Sequence, residues 1–155
     1  MQKLPNILLE RAKSHFTDFA EKLGNEFVRD KQDKDARARY LKLLDTNKAE
    51  VIHAFALSDF IARTAQLYPI QFMQKLAAII EHPNHDGQQY QEYYLQLQQH
   101  LQQALASSND EATLHKALRQ FRHLTMLSIA WRDLVYKADI KQSLLAISHL
   151  ADALI

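Results

Sequence analysis

The sequence predicts an all-α protein, an irregular bundle of about six to seven helices. Glycine occurs only at Gly24 and Gly87, and proline only at Pro5, Pro69 and Pro83. A sheet protein spends many such residues on turns. Hydrophobic residues make up 47% of the 155 positions, which suits a packed core rather than disorder. A chain of this size buries roughly 70% of its unfolded surface. We therefore expect one helical domain over residues 1–155.

The first helix is expected from Pro5 to Leu23, where proline suits an opening turn and Gly24 a C-terminal stop. Its stripe is Leu9, Ala12, Phe16, Phe19 and Leu23. The polar stretch Asn25 to Lys34 reads as a connector. A short helix over Asp35 to Leu44 turns Ala36, Tyr40, Leu41 and Leu44 inward. Asn47 and Glu50 fit a capping box, opening one helix from Lys48 to Leu67. That helix is apolar on nearly every side, as central helices are. Pro69 starts a further helix, which ends near His82, before Pro83 and Gly87.

Gln88 to Ala106 predicts an amphipathic helix with Tyr90, Tyr94, Leu97, Leu101 and Ala104 on one face. Its glutamines read as a neutral solvated face. Ser108 and Glu111 fit a second capping box. The helix after it runs to about Tyr136, roughly 40 Å long. Asp139 opens the last helix, Ile140 to Ile155. That helix is still apolar at Leu150, Ala153, Leu154 and Ile155 and has no glycine or asparagine cap, so we expect the chain to be cut from a longer protein.

Net charge is +1 with signs intermixed, which gives no basic stripe for nucleic acid. There is no cysteine, hence no disulfide, thiolate metal site or thiol nucleophile. No apolar run is long enough to span a membrane, and the acid and amide groups early in the chain do not suit a secretory signal. The expectation is a cytoplasmic protein.

Several polar residues lie on apolar helices. Arg132 falls nearly in line with Leu114, Leu118 and Phe121, and a buried arginine is costly unless paired. Asp59 sits between Ala56 and Phe60. A carboxylate and a guanidinium make a good bidentate pair, so Asp59 is expected to meet Arg132, Arg119 or Arg122. The simpler alternative pairs Asp59 with Arg63, four residues on. Trp131 could anchor an interface. Its place on a helix flank with Leu124 favours packing against the last helix.

His82, His85 and Asp86 supply too few placed ligands for zinc. Glu111 and His115 share a face, but no second such pair completes a site. Asp33-Lys34-Asp35 has the spacing of a Mg²⁺ pair, yet charged flanks read as a solvated face. Two glycines cannot build a phosphate loop, and there is no nucleophile elbow. We expect no catalytic, cofactor or metal site in this chain.

The long helix carries Leu118-Arg119-Gln120-Phe121-Arg122, then Met126, then Ile129-Ala130-Trp131-Arg132-Asp133-Leu134. With Ser58-Asp59-Phe60 and Tyr68-Pro69 upstream and Leu144 to Ile155 downstream, this resembles the glutamine synthetase adenylyltransferase family. The resemblance covers Asn47 to Ile155. It implies a bifunctional enzyme that attaches AMP to a glutamine synthetase tyrosine and removes it by phosphorolysis. It also implies two nucleotidyltransferase domains using Mg²⁺, ATP and phosphate, with the catalytic aspartates downstream of the region present here. The implied partners are the downstream nucleotidyltransferase domain of the same chain, glutamine synthetase and the PII signalling protein. Two rivals stand beside it. One is a free-standing helical interaction module. The other is a small-ligand bundle with a closed pocket near Asp59 and Arg132.

Overall fold

The computed structural model describes residues 3–30, 34–83 and 90–155. Among the described residues there are eight α-helices and no strand. The fold class is all-α as expected, with slightly more helices than the sequence predicts. Contacts gather into two compact units, residues 1–81 and residues 82–155, each with its own core.

The first unit holds α1 (Asn6–Asp30), α2 (Lys34–Thr46), α3 (Lys48–Leu57), α4 (Asp59–Leu67) and α5 (Pro69–Glu81). Helix α1 packs on α3, α4 and α5. Its buried stripe is Ala12, Phe19, Leu23 and Phe27. Three rings meet at the centre. Phe19 of α1 lies edge-on to Phe55 of α3 at 5.9 Å and to Phe72 of α5 at 5.0 Å. Phe55 and Phe72 are 6.1 Å apart. Such offset and edge contacts add to the burial of the rings themselves.

Helix α1 does not stop at Gly24; it continues to Asp30. A mid-helix glycine costs about 1 kcal/mol. Burying Phe27, which also stacks on Tyr40 of α2 at 6.3 Å, more than offsets that. The expected connector is therefore helical as far as Asp30.

The helix expected over Lys48 to Leu67 is two helices. Ser58 is extended, with φ −148° and ψ 112°. Its N–H still donates to Ala54, and its hydroxyl accepts from the Ile61 N–H at 3.3 Å. Ser58 thus ends α3 and caps α4. Serine followed by Asp59 in the first turn is the ordinary chemistry of a helix start, a signal overridden by the continuous apolar pattern. Asn47 does not form the expected capping box. Its side chain donates instead to the Leu43 carbonyl at 2.9 Å, joining α2 to α3.

The second unit is a three-helix bundle of α6 (Tyr90–Leu105), α7 (Glu111–Leu134) and α8 (Ile140–Leu154), each packed on the other two. Its core contains Tyr93, Leu97, Phe121, Ile129, Ala146, Leu150 and Ala153. Tyr93, rather than Tyr94, faces inward; Tyr94 is exposed. Leu97 and Leu101 face the core as expected, and the inward tyrosine is the one four residues before Leu97 rather than three. His100 Nε2 donates to the Ala117 carbonyl at 3.0 Å and ties α6 to α7.

Helix α7 begins later than the expected box. Asp110 is its cap, accepting from the Thr113 N–H at 2.7 Å. Hydrogen bonds from the Thr113 side chain and then its backbone hold the Asp110 carboxyl below the usual carboxylate range. Asp139 opens α8 as expected and accepts from the Lys141 N–H at 3.2 Å. Between α7 and α8, Lys137 takes the left-handed conformation, φ 53°. The Ala138 N–H then turns back to the Arg132 carbonyl at 2.9 Å.

A methyl group at Gly24 would meet nothing within 4 Å. Gly24→Ala should therefore raise stability by about 0.5–1 kcal/mol in urea unfolding. Ser58→Ala should lower it by about 1 kcal/mol, and Ser58→Gly by only a few tenths. Phe19→Ala should cost about 3–5 kcal/mol, because it removes a fully buried ring at the centre of the first unit.

Candidate functional site

The longer part of the sequence motif, Leu118 to Leu134, lies on α7 in the second unit. Leu118 packs against the bundle core, and Arg119 and Arg122 stand exposed beside it. With His115 and with Leu154 of α8 they line an open groove of about 270 Å³. Neither Arg119 nor Arg122 makes an ion pair among the described residues. Glu111, one turn before His115, accepts from its Nε2 at 3.3 Å. The two guanidiniums are left as donors to solvent or to an acidic partner. The groove is open, not the closed pocket that a small-ligand bundle requires.

His123 follows this pair. Partial burial, and then the neighbouring charges of Arg122 and Arg119, hold its imidazole below the ordinary pKa. Both effects disfavour a third positive charge at that place on the helix.

Arg132 is half-buried near the other end of α7. Desolvation lowers its pKa from the ordinary guanidinium value, opposed by the nearby phenols of Tyr93 and Tyr136. Its Nε is buried and makes no hydrogen bond among the described residues. Burial also raises the Tyr93 phenol, a rise opposed by Arg132. The sequence pattern points to Tyr94 as the inward tyrosine of α6, and the structure has Tyr93 there instead. Trp131 beside it is fully buried. Asp133 accepts from Ser143 at 3.0 Å and fastens the end of α7 to α8.

Asp59 belongs to the first unit and is exposed in the first turn of α4. Its carboxylate pairs with Arg11 of α1. The buried pair expected of Asp59 gives way to this exposed one, and Arg63 is not its partner either. The break at Ser58 is the reason. It sets Asp59 at the start of a new helix, off the buried face that Ile61, Ala62 and Ala65 form.

Among the described residues no group of three or more histidines, cysteines or carboxylates could hold a metal. His85 and Asp86 lie outside the described residues, as does Asp33; Asp35 is in the first turn of α2. No helix of the described residues is long and apolar enough to cross a membrane.

Comparison with known proteins gives this arginine-bearing helix its context. The glutamate-ammonia ligase adenylyltransferase profile matches residues 48–155, which includes all of α3 to α8. The chain belongs to this family. A bifunctional glutamine synthetase adenylyltransferase/adenylyl-removing enzyme of Psychromonas ingrahamii is 53% identical over 55 residues, 36% of this chain. The enzyme of the same name from Shewanella loihica is 33% identical over 101 residues, 65% of this chain. The matched stretches are only 6% and 10% of the length of those two relatives. No solved structure is a significant match.

The depressed pKa of His123 has a testable consequence. As pH falls through the ordinary imidazole value of about 6.5, the unfolded chain takes up a proton that folded His123 refuses until lower pH. Stability is thus fully present above that value and is lost between it and the lower folded pKa. Denaturant unfolding at about pH 7 and about pH 5 should give a smaller loss for His123→Gln than for the parent chain. An equal loss in both would remove His123 as a contributor.

Proposed function

We propose that this chain is the helical, amino-terminal part of a bifunctional enzyme acting on glutamine synthetase. The whole enzyme transfers AMP from ATP to a tyrosine of glutamine synthetase and removes it by phosphorolysis. In this reading residues 1–155 form a single helical segment, and nitrogen assimilation is the process regulated. What carries it is the family match over residues 48–155, supported by two relatives that bear the name of that bifunctional enzyme.

Mg²⁺, ATP and phosphate belong, on this reading, to the downstream nucleotidyltransferase domain. No catalytic step is assigned to this chain, and alone it is inactive. Its contribution is positional. Arg119 and Arg122 offer two planar guanidiniums on a rigid helix, a suitable presentation for carboxylates on another domain or on a partner. The partners we assign are the downstream domain, glutamine synthetase and the PII signalling protein, and the compartment is the cytoplasm.

The natural protein that contains this chain should transfer labelled AMP to purified glutamine synthetase when given ATP and Mg²⁺. It should release ADP when the adenylylated form is given phosphate. The 155-residue chain should do neither. Absence of both activities from the natural protein would falsify this reading and leave a helical interaction module.

A further inference from the structure

The surface of α8 carries a feature that no role so far described uses. Ala146, Leu150 and Ala153 face the bundle core. On the neighbouring flank Ile140, Leu144, Ile147, Ala151 and Ile155 are all exposed. Ile140 is 69% exposed, Leu144 58% and Ile147 39%. These residues follow one another at steps of four, three, four and four. That spacing keeps them in line along a helix of 3.6 residues per turn. Isolated exposed apolar residues are normal on any protein surface. Four in register along α8, with Ile155 at its C-cap, form a seam of the kind that a second helix covers.

The seam has a charged border. Leu154 lies between the buried face and the exposed stripe, and it shares the open groove with Arg119, Arg122 and His115 of α7. Arg119 and Arg122 make no ion pair among the described residues. A covering element thus meets apolar side chains from α8 and two guanidiniums from α7 along one edge.

We propose that this seam seats the segment that follows residue 155 in the longer enzyme, with acidic side chains of that segment directed at Arg119 and Arg122. The inference rests on the reading given under the proposed function. Two observations favour this occupant. The matched stretches occupy only 6% and 10% of the relatives, so those proteins contain much further chain. Ile155 itself ends the exposed stripe, so a continuing segment starts tethered at the seam and meets it at high effective concentration. The charged edge adds direction, because an element with carboxylates on that side pairs with both arginines.

The absence of cysteine from this chain allows a direct test. Leu144→Cys places a single thiol on the seam. Asp152→Cys places one on another exposed flank of the same helix as a control. In the 155-residue chain a maleimide should modify both at similar rates. In the longer natural protein, with labelling resolved by peptide mass spectrometry, residue 144 should react at least about tenfold more slowly while residue 152 is unchanged. Arg119→Glu combined with Arg122→Glu in the longer protein should raise the rate at residue 144; an unchanged rate overturns the charged contact.

Equal labelling of residue 144 in the short and long proteins overturns the seat alone. Slow labelling in the 155-residue chain that quickens on dilution assigns the seam to a second copy and also overturns it. A natural reading frame that stops at Ile155 overturns the underlying reading, and the seat with it.

Discussion

The first turn of every α-helix leaves backbone N–H groups with no acceptor inside the helix, and in this protein side-chain oxygens repeatedly supply one. Ser58 does so for α4, Asp110 for α7 and Asp139 for α8. A chain with two glycines cannot rely on glycine turns to separate its helices. Each of these caps sets where a helix starts, and therefore which of its faces turns inward. Moving the start of α4 by a few residues would carry Ile61 and Ala65 off the buried face. The buried face of α4 and the α7 and α8 faces of the second unit's core inherit their register from such points.

The same physics explains what the sequence made legible. The all-α class follows from the scarcity of breakers and from the three-four spacing of apolar residues. Long elements with strong periodicity, α5, α7 and α8, lie close to their expected positions. Boundaries were the weaker part. Gly24 looks like a stop to local reasoning, yet Phe27 finds a place in the core and draws the helix past it. Ser58 is an ordinary cap hidden inside a run of apolar residues. Tyr93 and Tyr94 are locally equivalent, and only packing against α7 and α8 selects the first.

The candidate site was legible in part for a related reason. The arginines of α7 stand out because charge on an apolar helix needs an explanation, and the structure leaves Arg119 and Arg122 exposed and Arg132 half-buried beside two phenols. Asp59 was misplaced because its environment depends on the break at Ser58. The pairing with Arg11 joins residues far apart in sequence, and no local pattern announces it. The family was recognisable from α4 and α7 because their residues occur in an uncommon combination. The chemistry of a whole enzyme does not follow from that recognition, since the matched stretches are small fractions of the relatives.

Trp131 offers a consequence of a different kind. It is the only tryptophan in the chain, and it is fully buried in α7. The first unit is built instead around phenylalanines, which are nearly silent in fluorescence excited at long wavelength. Indole emission therefore reports on one half of the molecule, while far-ultraviolet circular dichroism reports on all of its helices. Coincident transitions by the two methods mean that the units unfold as one cooperative body, and separated transitions mean that they melt independently. A single aromatic side chain thus turns the division of the chain into an optical observable.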